Sequence, residues 1–119
     1  MNAPDIRVKR VYEPEDAGDG VRILVDRLWP RGMAKADLKS VAWMKDVAPS
    51  TELRKWFNHD PAKWAEFRRR YGEELDGNPA AVEALRKKIG RGPATLLYGA
   101  RDETHNQAVA LRDYLARRG

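Results

Sequence analysis

The sequence predicts an α/β fold, a small parallel or mixed sheet with helices packed against it in two or three layers. Three observations carry this. Residues 21–28, VRILVDRL, are a near-continuous apolar run with β-branched side chains, the pattern of a strand buried on both faces. Residues 94–100, ATLLYGA, form a second such run. Between and after these runs, apolar residues recur three and four apart, which draws a single stripe along a helix. Strands separated by helical segments pack as a sheet with helices upon it. One domain, residues 1–119, is expected at this length.

The elements follow in order. Residues 6–11 alternate Ile6, Val8 and Tyr12 with basic side chains and read as a strand, although Val11 breaks the pattern. Residues 13–20, EPEDAGDG, read as a flexible acidic surface loop. The strand at 21–28 stops at Trp29-Pro30-Arg31-Gly32, because Pro and Gly punctuate structure. Residues 41–47, VAWMKDV, suggest another short strand. Ser50 caps a short helix carrying Leu53, Trp56 and Phe57. Asp60-Pro61 is a helix-start signal, and Trp64, Phe67, Tyr71 and Leu75 form the stripe that follows. Asn78-Pro79 repeats the signal ahead of Val82, Leu85 and Ile89, and Gly90 and Gly92 end that helix. After the strand at 94–100, Thr104 and Gln107 fit a capping box for a last helix with Ala108, Leu111 and Leu115 inward.

Composition narrows the function. Lys and Arg number 23 against 18 Asp and Glu, a net charge of +5. Arg68, Arg69 and Arg70 cluster on one helix; Arg86, Lys87, Lys88 and Arg91 lie near the end of another, where the helix dipole favours cations. Arg117 and Arg118 are near the end of the sequence. This charge permits nucleic-acid binding without indicating it. Cysteine is absent, which excludes disulfides, thiolate catalysis and thiolate metal sites. No apolar run approaches the ~20 residues that span a bilayer, and the opening MNAPDIRVKR lacks the apolar stretch of a signal peptide. A cytoplasmic protein with no membrane role is expected.

Ligands of open α/β sheets gather at the carboxyl ends of the strands. Three polar segments fall there. In the first, Asp26, Arg27, Trp29 and Arg31, the arginines suit a carboxylate or phosphate, with Asp26 orienting them. A salt-bridge network that only fixes the loop accounts for the same residues equally well. Trp29, between the arginines, could stack on a base or ring. In the second, Lys45, Asp46 and Ser50 lead into a helix N-terminus that favours an anion, although Ser50 as a plain cap is the simpler account. In the third, Tyr98 ends a strand, and His105 and Asn106 open the last helix. A neutral His105 there is a candidate general acid or base, with Asn106 orienting substrate. His59 is assigned to helix-start chemistry. No metal is expected, since no His-x-x-x-His spacing occurs, and no cofactor loop is present.

DRLWPRG at 26–32, WMKDVAPSTELRKWFNHDP at 43–61, the Trp64-to-Leu75 stretch and TLLYGARDETHNQAVAL at 95–111 together resemble the domain of unknown function 488 family, in its short YeaO-like branch. The resemblance runs from about Ile6 to Leu115. It implies a compact bacterial or archaeal α/β protein and no accepted activity. A longer branch of that family carries a Cys in the final strand and a Cys-His-Arg motif at the next helix. The matching positions here are Tyr98 and Thr104-His105-Asn106, so a thiol mechanism does not carry over.

Two readings stay open. One is a small enzyme acting on an anionic or phosphate-bearing substrate, with Arg27, Arg31 and Lys45 binding charge and His105 moving a proton. The other is a non-catalytic regulatory module that binds a nucleotide, nucleic acid or protein through the same basic cleft.

Overall fold

A computed structural model describes residues 4–118, with the side chain of Arg118 outside the description. Strand β1 (Ile6–Arg10) leads through a 3-10 turn at Ala17–Asp19 to β2 (Val21–Leu24). A second 3-10 turn at Lys35–Leu38 precedes β3 (Val41–Trp43), and a third at Lys45–Val47 leads into helix α1 (Thr51–Phe57). After a turn at Pro61–Lys63 come α2 (Trp64–Asp76), α3 (Pro79–Ile89), β4 (Ala94–Tyr98) and α4 (Gln107–Arg118). The four strands form one sheet in the order β1-β4-β2-β3, and every pairing is parallel.

Register sorts the side chains by face. Ile23 pairs with Leu96, and Leu24 with Leu97, so alternate residues of the central strands serve different cores. Ile23, Leu96 and Tyr98 join the main core with residues of all four helices, including Phe57, Phe67, Leu85 and Leu111. Leu24 and Leu97 meet Val11 and Leu38 on the other face, where short turns rather than helices form the cover. Both central strands are therefore buried on both sides, as their apolar runs predict. The architecture is a sheet with one helical layer and a thin second cover.

Several boundaries differ from the sequence reading. The acidic segment 13–20 is an ordered turn rather than a flexible loop. Asp16 caps it, and Asp19 is buried against Lys9 and Arg22 at 3.2 and 3.3 Å. It closes at Gly20, whose φ is +65° and where a Cβ would lie 2.0 Å from the Pro93 carbonyl oxygen; glycine meets both demands. Strand β2 ends at Leu24, four residues early, because the next β4-side donor, Gly99 N–H, is taken by the Asp26 carboxylate. The strand read at 41–47 stops at Trp43 and turns into the 3-10 segment. The strand read at 94–100 stops at Tyr98. The last helix has no Thr104–Gln107 capping box. Asn106 accepts from Val109 N–H at 3.0 Å, the bond of an N-cap, while Thr104 turns to Asp102 and Gln107 to Asp26.

Candidate functional site

The chain leaving β2 crosses the carboxyl edge of the sheet and builds one wall of a cleft of about 350 Å³. Asp26, Arg27, Trp29 and Arg31 line it from this segment, Ala48, Pro49 and Arg54 from the entry and body of α1, His59 from the turn beyond, and Gly99 and Gln107 from the end of β4 and start of α4. The parallel strands all end on this side, so their loops converge here.

Asp26 is half-buried at the floor. Its Oδ2 accepts from Gly99 N–H at 2.8 Å and its Oδ1 from the Gln107 amide. Burial pushes its pKa up to about 6, against the opposing pull of the Gly99 and Gln107 hydrogen bonds and the more distant charges of His59 and Arg54. The geometry alters the role read for Asp26 from sequence. It makes no salt bridge with Arg27 or Arg31, so it neither orients them nor joins them in an ionic network; its partners are Gly99 and Gln107.

Arg27 is positioned by main-chain carbonyls. Its Nε donates to Pro49 O at 3.2 Å and one terminal nitrogen to Ala48 O at 3.1 Å, which leaves the other terminal nitrogen uncommitted among the described residues. Arg31 and Arg54 line the cleft, and their guanidinium groups have no partner among the described residues. The loop that carries Arg31 is pinned from three sides. Tyr12 donates to Arg31 O at 2.9 Å, Trp29 Nε1 to Met33 O at 2.6 Å, and Trp43 Nε1 to Asp26 O at 2.7 Å. Trp29 and Trp43 meet edge to face at 5.2 Å, with both rings partly exposed.

The other sequence candidates lie elsewhere. Lys45 sits over the Trp43 ring at 5.3 Å and does not line the cleft. Asp46 offers its carbonyl to the Asn78 amide. Ser50 caps α1 through Leu53 N–H and gives its own hydroxyl proton to Glu74 at 2.6 Å. Tyr98 is buried in the main core. Asn106 is buried as the cap of α4, its amide donating to Asp102 O. His105 precedes α4 by two residues instead of lying in its first turn. Its Nδ1 lies 3.0 Å from both Asp102 Oδ2 and Thr104 Oγ1, and its ring meets Trp64 edge to face. The Asp102 carboxylate gathers both side chains, accepting from Thr104 Oγ1 at 3.1 Å and lying 3.0 Å from His105 Nδ1. The Asp102 carboxyl is held well below its usual range by the Thr104 and His105 backbone N–H groups.

Sequence reasoning missed Arg54, Gln107 and the cleft position of His59. His59 had one local signal: it follows Asn58 at the end of α1, and both adopt left-handed φ, +47° and +54°. The triple arginine on α2 is consumed by carboxylates. Arg69 binds Glu66 and Glu73, Arg70 binds Glu66, and Arg68 binds Asp113. Among the described residues no three His, Asp or Glu side chains group as metal ligands, and no helix is long and apolar enough to cross a membrane.

Comparison with known proteins places the chain. It is 46% identical over 111 residues to the uncharacterized protein YeaO of Escherichia coli (strain K12), which covers 93% of this chain and 96% of that protein. It is also 46% identical over 110 residues to the uncharacterized protein Rv3073c of Mycobacterium tuberculosis (strain ATCC 25618 / H37Rv), covering 92% of each. No solved structure matches. A family model described as the inactive DUF488-N3 subclade matches residues 5–118, and the chain belongs to that YeaO-like DUF488 family.

Proposed function

We propose that the protein is a non-catalytic binding module that takes a small anionic ligand at the carboxyl edge of its sheet. The observation that carries this is the pair of guanidinium groups, Arg31 and Arg54, that line the cleft without a carboxylate partner among the described residues. Cations left unpaired at a concave site suit a carboxylate, sulfate or phosphate. Arg27 adds one uncommitted N–H-bearing nitrogen to the same wall.

Binding is favoured over catalysis because the pair read from sequence as catalytic does not reach the cleft. His105 and Asn106 do not line the cleft, and both are held by local bonds near Asp102. The description of the subclade as inactive agrees with this reading. Nucleic acid is the weaker partner, because the arginines of α2 already pair with Glu66, Glu73 and Asp113. The cysteine-free composition suits the cytoplasm, where we place the protein.

Thermal denaturation with inorganic phosphate and sulfate, at low and high sodium chloride, tests the proposal. A native-state ligand raises the melting temperature by mass action. The expected result is a rise that saturates with anion, persists in moderate chloride and disappears in both Arg31→Ala and Arg54→Ala. A rise that is unchanged in both variants would remove the cleft as its source.

A further inference from the structure

A plain anion site does not account for Asp26. A carboxylate on the floor of a cleft repels an anion, yet Asp26 lines this one and makes no ion pair among the described residues. Each of its oxygens accepts one N–H, from Gly99 and from Gln107. An ionised carboxylate has about four acceptor positions, so roughly two remain. The Arg54 guanidinium acts on it electrostatically and makes no ion pair with it. The cleft therefore holds unpaired cations and an unpaired carboxyl group together.

We propose, resting on the anion-binding reading, that the ligand is a zwitterion whose anionic group binds Arg31 and Arg54 and whose ammonium binds the Asp26 carboxylate. A charged donor on a carboxylate is among the stronger hydrogen bonds. Phe57 and Leu28 line the same cleft and suit a short hydrocarbon spacer between the two charges. The volume of about 350 Å³ is at the small end of the range for small-molecule sites.

Matched probes test this by isothermal titration of the whole chain. Phosphoethanolamine and ethyl phosphate share a phosphate and differ by one ammonium, and taurine and ethanesulfonate repeat the comparison with a sulfonate. The expected result is that each ammonium compound binds about tenfold more tightly than its partner, the scale of one good charged contact. In Asp26→Asn that advantage disappears and ethyl phosphate still binds. In Arg31→Ala both members of each pair weaken. Equal binding within each pair by the native protein overturns the zwitterion and leaves the anion site standing, and this comparison needs no variant. An ammonium advantage that survives in Asp26→Asn also overturns it. Binding by none of the four compounds overturns both readings together.

Discussion

Among the arginines of the cleft, each side chain does a different job. Arg27 donates to the carbonyls of Ala48 and Pro49, both buried, and so ties the segment after β2 to the entry of α1. Removing it strands two carbonyls, each served by a charged donor. Arg27→Ala is expected to lose about 1–3 kcal/mol of stability, measured by urea denaturation. Arg31 and Arg54 make no such bonds, so alanine at either should stay within about 0.5 kcal/mol of the native protein. Equal losses at all three positions would show that the cleft arginines are structural. The acid–base pairing of Asp26 with Arg27 looked local in sequence because the residues are adjacent. The structure forms no such pair: Asp26 turns to Gly99 and Gln107, and Arg27 to the carbonyls of Ala48 and Pro49. Arg54 and Gln107 were not legible at all, since only folding brings α1 and α4 to the end of β2.

The elements around the cleft are short and depend on their ends. Helix α1 has seven residues, too few to be stable alone. Ser50 holds its start. The hydroxyl accepts from Leu53 N–H at 3.1 Å and donates to Glu74 on α2, whose second oxygen accepts from Ser50 N–H at 2.8 Å. The cap therefore also docks α1 against α2. Ser50→Ala is expected to cost about 1–2 kcal/mol, seen as a lower urea midpoint, and to leave anion binding within twofold when measured below the transition. The Ser50 cap, the Asp60-Pro61 and Asn78-Pro79 starts and the Ile89-Gly90 stop were readable because each is written within a few residues. The Thr104–Gln107 box was misread for an instructive reason. Its spacing is right, but Asp102 captures Thr104, and the carboxyl of Asp26, 81 residues away in the chain, captures Gln107. A local motif gave way to a long-range partner.

At the scale of the whole molecule, the carboxyl groups pull stability in opposite directions with pH. Asp102 is lowered by the backbone N–H groups of Thr104 and His105, and Glu66 is lowered to about 2 by Arg69 and Arg70. Asp19 is also lowered: burial opposes this, but the Asp16 N–H and Lys9 outweigh it. A carboxyl whose pKa falls on folding stabilises the protein above its ordinary value and loses that contribution as the pH drops below about 4. Asp26 behaves in the reverse sense. Folding raises it from 3.8 to about 6, so the native protein holds that proton more tightly than the unfolded chain. Its stabilising contribution is complete below pH 3.8 and lost as the pH rises through 6. Between those values the change amounts to about 1–3 kcal/mol. The two effects meet, and the ligand-free protein is expected to be most stable near pH 5, with stability falling towards pH 7.5 on one side and below pH 4 on the other. Asp26→Asn separates them. Asn keeps the shape, its oxygen can accept from Gly99 N–H, and the Gln107 amide can turn to face the new N–H group. The variant should therefore melt above the native protein at pH 7.5, match it near pH 4 and retain the acid limb. Melting curves across this range decide the matter. A native profile that is flat from pH 7.5 to 5 would mean that Asp26 is solvated well enough to ionise at ordinary pH, and the cost of keeping a charge on the floor of the cleft would vanish with it.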